Sequence, residues 1–560
     1  MATPVRLPCH SQQTNCGWGG IVAGPDGTLY CSPQCADCLL VIRKQAHAVE
    51  RIPLPTKFCN GELQNLGGSA LARDGKLYFS PVLSSTDSFA PVRSETGDLQ
   101  WPFLEELGID IGPFVGTRTF LLSLVFDTVE ESFSHIIVQP ARFEALGMNE
   151  GGIPAEVSKY WGIAVAPNGK LYSPPACGSV VAVLDPAKRD FSFIPGAGRG
   201  SQHNKWTGIA SAGDGFMFCS PGRARAVLVI NTLTDTLDFI EDEDLFDQSG
   251  AVRYTDENGD ELMDWEAGDI HGWSGIALAR NSKLYCAPCD AVSILVIDPS
   301  TWHLATIALN VIPDDIALGS SNKWSGIALA EDGRLYCAPW CASSVLVIDP
   351  LYDTVNYVHV PAWDPWYEQH GYKWSAIAAA RGRIWCSPDR ARTILTMLMP
   401  RPDLTGMCRV GGSSDLVDVV ASDGSRHSCL RWIMVSASEV FSNMFSSGFR
   451  EAQESSITLC NASGPSVQQL LQYLVSGYLP LCFNSIELAS VAHMYHMEHL
   501  LALCLADIVL NVDQQTLGEA TGAFRLYSKA TPEASWYWEQ FLTMVGSDRI
   551  LIAEALELIP

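Results

Sequence analysis

The sequence has few positive charges for its length. Its 560 residues include 36 Lys and Arg against 62 Asp and Glu, which gives a net charge of −26 at pH 7. Nucleic acids and anionic membrane surfaces attract basic proteins and repel acidic ones. We therefore expect neither nucleic acid nor a membrane surface among the partners.

Long apolar segments are missing as well. No apolar run approaches the roughly 18 residues of a membrane-spanning helix. The first residues lack the basic start and apolar core of a signal peptide, so we expect no secretory leader. The sequence therefore predicts a cytoplasmic or nuclear protein.

Cysteine is abundant, but its placement does not indicate disulfides or zinc. Of the 18 cysteines, several occupy one recurring position, directly after an aromatic residue: Cys31, Cys219, Cys286, Cys337 and Cys386. The pairs Cys35/Cys38 and Cys286/Cys289 have metal-like spacing, but no second pair follows at a zinc-finger distance. Buried free thiols explain the recurrence, and reduced thiols suit the cytosol. We predict no metal and no other cofactor.

The sequence does contain a repeated phrase. Its clearest copy runs from Trp324 to Pro350, as Trp-Ser-Gly-Ile-Ala-Leu-Ala, Asp-Gly, Arg-Leu-Tyr-Cys-Ala-Pro and Val-Leu-Val-Ile-Asp-Pro. Seven copies start at Trp18, Leu66, Tyr160, Trp206, Trp273, Trp324 and Trp374. A unit of this size cannot bury its own apolar face and must stack against the other copies of the repeat.

Each copy has the pattern of four short strands, with Asp-Gly or Asn-Gly as the first hairpin turn. Four strands in units of roughly 40–50 residues predict a β-propeller, here seven-bladed and all-β over residues 1–400. The seventh copy lacks a fourth strand, and residues 4–8 resemble one. We expect them to complete the last blade and close the ring.

Two stretches interrupt the repeats, at residues 82–119 and 241–269. The second carries twelve acidic residues against one base, Arg253. Residues 256–260 hint at a calcium loop, but Ala267 stands where such a loop needs its last carboxylate. A solvated acidic loop is the better interpretation.

The pattern changes after Pro402. In residues 401–512, short strands alternate with helical patterns, which indicates an α+β domain. Ser438 is a predicted N-cap, and Gly477 is a predicted helix stop. An apolar stripe at helical spacing precedes that stop: Val467, Leu470, Leu471 and Leu474. Residues 513–560 are predicted to form a short helical tail.

Residues 401–512 resemble the BTB/POZ family. The matching pieces are Ser438-Glu439-Val440-Phe441, Met444-Phe445, Phe449-Arg450-Glu451, Ile457-Thr458-Leu459 and the run from Leu470 to Tyr478. The family usually has a histidine where this sequence has Leu430. The resemblance implies a protein-interaction domain that forms homodimers, followed by a stub of the family's helical (BACK-like) extension.

The resemblance also implies a binding site. In many BTB proteins, a hydrophobic-x-Glu triplet at this position helps bind a cullin scaffold, which assigns that role to Phe449 and Glu451. The apolar side chain would fill a pocket and the carboxylate would anchor polar groups. The alternative is that Phe449 only covers the edge of the core while Glu451 is solvated.

Lysine directly precedes the first-strand aromatic residue in four repeats: Lys159, Lys205, Lys323 and Lys373. Equivalent positions of a ring lie on one circle, so these lysines are expected near the channel mouth on one face. Such a crown could bind a carboxylate-rich peptide of a client protein. Ordinary solvated loop lysines are the alternative.

Catalytic motifs are not evident. His493, His496 and His499 share a predicted helix, where a structural role is favoured over metal binding. The repeats also resemble NHL and gluconolactonase-like propellers, but Gly, Ile, Ala and Leu occupy the inner strands where those enzymes hold metal-binding carboxylates.

The sequence thus predicts a non-enzymatic adaptor, similar to substrate adaptors of cullin-RING ubiquitin ligases, with a client on the propeller and a cullin on the BTB-like domain. A BTB scaffold or transcription-related protein that binds no cullin remains an alternative. A propeller hydrolase remains a more distant one.

Overall fold

The structure is a computed structural model. It describes residues 2–6, 17–43, 49–55, 66–85, 92–93, 99–100, 119–139, 160–198, 204–242, 245–246, 272–309, 322–360, 371–380, 382–391, 393–399, 415–446, 449–477, 479, 483–512, 516–527, 529, 534–535, 537–538 and 541–542. Lys159, most of both interruptions, the calcium-loop pattern and residues 7–8 lie outside these ranges.

Seven antiparallel sheets account for the repeats among the described residues, so the predicted seven-bladed propeller is confirmed. Blade 1 comprises β2 Trp18–Ala23, β3 Leu29–Pro33, β4 Cys38–Ile42 and β5 Val49–Pro53. Blade 2 comprises β6 Ser69–Leu71, β7 Lys76–Phe79, β8 Val82–Ser85, β11 Thr119–Asp127 and β12 Ser132–Val138. Blade 3 comprises β13 Ala164–Val165, β14 Leu171–Ser173, β15 Val180–Asp185 and β16 Asp190–Pro195. A separate hairpin pairs β9 Val92–Arg93 with β10 Leu99–Gln100.

Blades 4 to 7 follow the same order. Blade 4 comprises β17 Trp206–Ser211, β18 Phe216–Pro221, β19 Val227–Asn231 and β20 Thr236–Ile240, and blade 5 comprises β21 Trp273–Leu278, β22 Leu284–Pro288, β23 Ser293–Asp298 and β24 His303–Ala308. Blade 6 comprises β25 Trp324–Leu329, β26 Leu335–Pro339, β27 Ser344–Asp349 and β28 Thr354–His359. Blade 7 comprises β29 Trp374–Ala380, β30 Arg383–Pro388 and β31 Thr393–Leu398, with β1 Ala2–Arg6 from the N-terminus.

The ring closes through the N-terminal strand. β1 pairs antiparallel with β31, from Ala2 opposite Met397 to Arg6 opposite Thr393. The prediction that the N-terminus completes the seventh blade is therefore confirmed, although the strand begins two residues earlier than expected. First strands of consecutive blades contact each other all the way round, and β29 of blade 7 contacts β2 of blade 1.

Glycine lets the first strands approach closely around the axis. A Cβ built on Gly208 would lie 2.7 Å from the Cα of Gly275, and one built on Gly275 would lie 2.9 Å from the Cα of Gly326. These distances are too short for any side chain. The recurring Gly of the repeat is thus required by contact between neighbouring blades.

The recurring aromatic residue joins the first strand to the third. The indole Nε1 of Trp324 donates to the carbonyl of Ser344 at 2.8 Å, and Trp206 donates to Ala226 at 3.0 Å. Equivalent bonds join Trp18 to Cys38, Trp273 to Ser293 and Trp374 to Thr393. Each bond satisfies the indole N–H inside the blade, as a buried donor requires.

The recurring cysteines are buried, as predicted. Each has no exposed surface: Cys31, Cys219, Cys286, Cys337 and Cys386. Among the described residues the cysteines are free thiols. Burial raises the pKa of these thiols, which keeps them protonated and unreactive.

Blade 2 differs from the expected plain unit. β11 is nine residues long and pairs with β7 at one end and with β8 at the other. The stretch predicted as an insertion at 82–119 therefore begins with a strand of the blade itself. The short β6 remains its innermost strand.

The C-terminal part is the predicted α+β domain. β32 Leu416–Ala421 lies between β33 Arg426–Leu430 and β34 Ser456–Leu459, and β34 is parallel to it. The helices are α1 Arg431–Ala437, α2 Glu439–Met444, α3 Arg450–Glu454, α4 Gly464–Ser476, α5 Ser485–Met494, α6 Glu498–Asn511 and α7 Leu517–Tyr527. Helix α7 belongs to the predicted C-terminal tail.

Local signals in this domain are confirmed. The Ser438 hydroxyl accepts from the N–H groups of Val440 and Phe441 at the start of α2. Gly477 ends α4 with a positive φ of 77°. The four residues of the apolar stripe on α4 are buried.

The C-terminal domain is packed against blade 7. Arg383, which is 1% exposed, donates to the hydroxyl of Tyr537 at 3.1 Å, and its guanidinium lies 5.4 Å from that ring's centre. His499 on α6 bonds through Nε2 to the carbonyl of Met399 at 2.5 Å. One apolar cluster includes Trp385 of blade 7 and the helices of the C-terminal domain.

Candidate protein-interaction sites

Phe449 projects from the start of a short helix. It is the N-cap residue of α3, and 52% of its surface is exposed. A phenylalanine that only covered the edge of the core would lose most of that surface to packing. The exposed ring is therefore free to enter a partner's pocket.

Glu451 lies in the first turn of α3, partly exposed. The neighbouring Arg450 is held by Glu454, with Nε 2.8 Å from Oε1. Arg450 thus pairs with Glu454, which lies outside the triplet, and not with Glu451. Both side chains of the site thus lie at the start of α3, two residues apart, with the ring exposed and the carboxylate partly exposed.

The lysines of the repeat differ from the expected exposed crown. Lys323 has no exposed surface, and its Nζ donates to the carbonyl of Asp290 at 2.9 Å. Lys205 is 3% exposed and donates to the carbonyls of Gly178 and of Ala197, the latter at 2.9 Å. Both lysines join their own blade to the preceding one.

Burial also changes the charge state of these lysines. Loss of water contact lowers the pKa of Lys205 to about 8 and lowers the pKa of Lys323, where Asp290 opposes the shift. Lys373 is partly exposed and donates to the carbonyl of Cys341 at 3.2 Å. A role of these lysines in client binding stays a prediction, and Lys159 lies outside the described residues.

An aromatic cluster lies beside Lys373 on the same face. The rings of Trp340 and Tyr372 meet edge to face at 5.0 Å, and the Arg390 guanidinium lies 4.6 Å above the ring of Tyr372. Trp340 Nε1 donates to Asp389 Oδ2 at 2.8 Å. Trp340 and Tyr372 are partly exposed, and Arg390 is exposed.

The sequence comparison among repeats did not single out this cluster. Tyr372 holds the position of Asn204 and Asn322 in blades 4 and 6, directly before the repeat lysine. That departure from the repeat was the signal that could have revealed it.

The C-terminal domain matches a known family. The family model for the BTB/POZ domain matches residues 412–511, within the predicted range of 401–512. The chain carries a BTB/POZ domain. The Phe449 site on α3 therefore belongs to a BTB/POZ domain, as the resemblance implied.

A curated relative shares part of the chain. The Kelch repeat and BTB domain-containing protein 12 of Danio rerio is 30% identical over 107 residues, which are 19% of this chain and 17% of that protein. The chain thus matches only a small part of that relative's length. The match supports protein interaction as the general role of the BTB/POZ domain.

Solved propeller structures are similar to the N-terminal part. Virginiamycin B lyase from Staphylococcus aureus, inactivated and with quinupristin, has a TM-score of 0.45 at 11% identity and covers 71% of this chain and 99% of its own. A streptogramin B lyase structure has a TM-score of 0.45 at 13% identity, over 71% and 97%. At this level of similarity, the fold assignment rests on the sheet topology above.

The histidines after the BTB/POZ sheet do not converge. His493 lies 4.9 Å from the ring of Tyr527, whereas His499 lies between the hydroxyl of Tyr473 and the carbonyl of Met399. Within the described ranges, no three His, Cys, Asp or Glu side chains are arranged to hold a metal ion.

Among the described helices, none is both long and apolar enough to cross a membrane.

Proposed function

We propose that this chain is an adaptor that presents a client protein to a cullin-RING ubiquitin ligase. The propeller binds the client, and the BTB/POZ domain pairs with a second copy and docks the cullin. Ubiquitin transfer then follows from high effective concentration, without catalysis by this chain. We place this activity in the cytoplasm or nucleus.

The exposed ring of Phe449 is the observation that carries the proposal. It is 52% exposed on a BTB/POZ domain, two residues before the partly exposed Glu451. A ring that is already free of the core can enter a cullin pocket without local unfolding. Aromatic residues of this kind carry a large share of the binding energy in small interfaces.

A cullin pull-down with full-length chains tests the proposal. We expect Phe449→Ala and Glu451→Lys each to weaken cullin binding at least about tenfold, as loss of a hot-spot residue does. Leu526→Ala and Glu519→Lys on α7 are matched controls, because both residues are exposed and distant in sequence from α3. They should bind cullin as the native chain does.

Two results separate this proposal from a scaffold that never meets a cullin. If the native chain binds none of the cullins tested, the ligase role is wrong. If it binds but Phe449→Ala and Glu451→Lys bind equally well, docking uses another surface.

A further inference from the structure

Tyr372 adopts a backbone conformation that its side chain disfavours. Its φ is +56°, in the left-handed region, and Asn204 and Asn322 hold the equivalent positions with φ of 49° and 55°. Asparagine tolerates this region far better than tyrosine. All three residues offer their carbonyl to the next turn in the same way. The backbone role therefore does not explain the tyrosine.

The side-chain contacts of Tyr372 explain it better. Its ring lies between Trp340, at 5.0 Å, and the guanidinium of Arg390, at 4.6 Å. Asp389 fixes the Trp340 indole through a 2.8 Å hydrogen bond. Strained residues persist where function requires them. Here the strain holds an aromatic ring on the surface of the propeller, where it supports an arginine.

We propose that this cluster binds an extended peptide segment of the client, in which a carboxylate side chain neighbours an apolar one. The partly exposed rings of Trp340 and Tyr372 offer an apolar surface. Arg390 offers two parallel N–H donors, the geometry that a carboxylate accepts. The proposal deepens the adaptor function above and rests on it.

Charge on this face is mixed, and the cations next to the aromatic cluster are Lys373 and Arg390. The face carries the turns between the second and third strands and the residues before each first strand. Among the described residues there, the cations at least partly exposed are Arg223, Arg225, Lys373 and Arg390. The acidic residues there that are at least partly exposed are Asp37, Glu241, Asp242, Asp290 and Asp389, and Asp389 accepts the Trp340 indole. Selectivity for a carboxylate therefore depends on Arg390 itself and not on the net charge of the face.

A carboxylate fits better than a phosphate. Phosphorylated segments are usually held by clusters of arginine around a doubly charged group. Among the described residues of blades 6 and 7, Arg390 is the arginine that stacks in this cluster. One guanidinium beside an aromatic surface matches a single carboxylate and its apolar neighbour.

Selection from a phage-displayed random-peptide library on the full-length native chain tests the proposal. We expect the enriched peptides to share Asp or Glu beside an apolar residue. Fluorescence anisotropy titrations with such a peptide should show at least about tenfold weaker binding to Tyr372→Asn and to Arg390→Glu. Replacing the peptide carboxylate by Lys should restore binding to Arg390→Glu.

Tyr372→Asn separates binding from folding. Because asparagine is the residue of two sibling blades, this variant should melt at the native temperature or above it while it loses the peptide. Lys188→Glu is the charge-matched control, since Lys188 is exposed on the opposite face, in the turn between β15 and β16. It should bind the peptide normally.

Several outcomes would overturn the proposal. These are enrichment of no peptide, enrichment of peptides without a carboxylate, or full binding to folded Tyr372→Asn and Arg390→Glu. The two variants should still bring down cullin as the native chain does. If the native chain binds no such peptide but docks cullin, this site alone is rejected. If the native chain binds the peptide but no cullin, the ligase role alone is rejected.

Discussion

Lys205 shows how a residue's surroundings can reverse what its type suggests. In the sequence it is one of four lysines at a loop position, where solvated side chains are the rule. In the structure it spans two blades and donates to main-chain carbonyls of the preceding one. Sequence spacing identified the equivalent positions correctly, but it carried no information on which way each side chain turns.

The lowered pKa of Lys205 predicts a pH-dependent contribution to stability. The folded protein releases this proton near pH 8, whereas the unfolded chain keeps it to about pH 10.4. Between these values the unfolded state binds the extra proton, so the contribution of Lys205 to stability rises with pH. From pH 7 to pH 9 we expect a gain of about 1 kcal/mol, or ~2 °C, relative to Lys205→Met.

Melting curves of the native chain and Lys205→Met at both pH values measure this gain. Comparison of the two proteins cancels the titration of other groups. Lys188→Met, at an exposed position, should show the same pH dependence as the native chain. Parallel pH dependence of the native chain and Lys205→Met would show that Lys205 keeps an ordinary pKa.

At the scale of the elements, much of the propeller could be predicted from the sequence. Small residues, Asp-Gly turns and runs of alternating apolar and polar residues recur at the same positions of each repeat, because each blade packs against its neighbours in the same way. The N-cap at Ser438 and the helix end at Gly477 were also predictable, since each depends on neighbours in the sequence. β8 was not, because its pairing with β11 spans a long interruption that no local pattern connects.

Two glycine substitutions should change stability in opposite directions, because one glycine lies where first strands approach closely and the other lies in open space on a helix. Gly208→Ala puts a Cβ 2.7 Å from the Cα of Gly275, so we expect a loss of about 1–3 kcal/mol from overpacking. Gly522→Ala lies in α7 with no atom within 4 Å of its Cβ, and should stabilise its helix by about 0.5–1 kcal/mol.

Differential scanning calorimetry of the two glycine variants measures these changes. A melting temperature of Gly208→Ala equal to the native value would contradict contact between the first strands of blades 4 and 5.

At the scale of the whole molecule, the two domains meet at blade 7. Blade 7 has Trp385 where most other blades have tyrosine, and Trp385 belongs to the apolar cluster that includes the C-terminal helices. Arg383 is buried beside Tyr537, whereas the equivalent Arg334 of blade 6 pairs with Asp349 of its own blade. The sequence showed that Trp385 departs from the repeat, but not that the C-terminal tail contacts Arg383.

Contact between Arg383 and Tyr537 predicts that blade 7 slows amide hydrogen exchange in the C-terminal tail. Arg383→Ala removes a charged hydrogen bond worth about 1.5–3 kcal/mol, so amide exchange in α7 should accelerate roughly tenfold or more. Arg334→Ala is the matched control from blade 6 and should leave α7 unchanged. Hydrogen–deuterium exchange of the two variants makes the comparison. Equal exchange of α7 in both would show that the tail does not depend on blade 7.

Sequential binding tests most directly whether one chain joins a client to a cullin. An immobilised acidic peptide from the library selection first captures the full-length chain, and cullin is then passed over the surface. We predict a second binding signal with the native chain and a signal at least about tenfold weaker with Phe449→Ala, although both are captured equally. A captured native chain that binds no cullin, or a Phe449→Ala chain that binds it fully, would contradict the proposed adaptor.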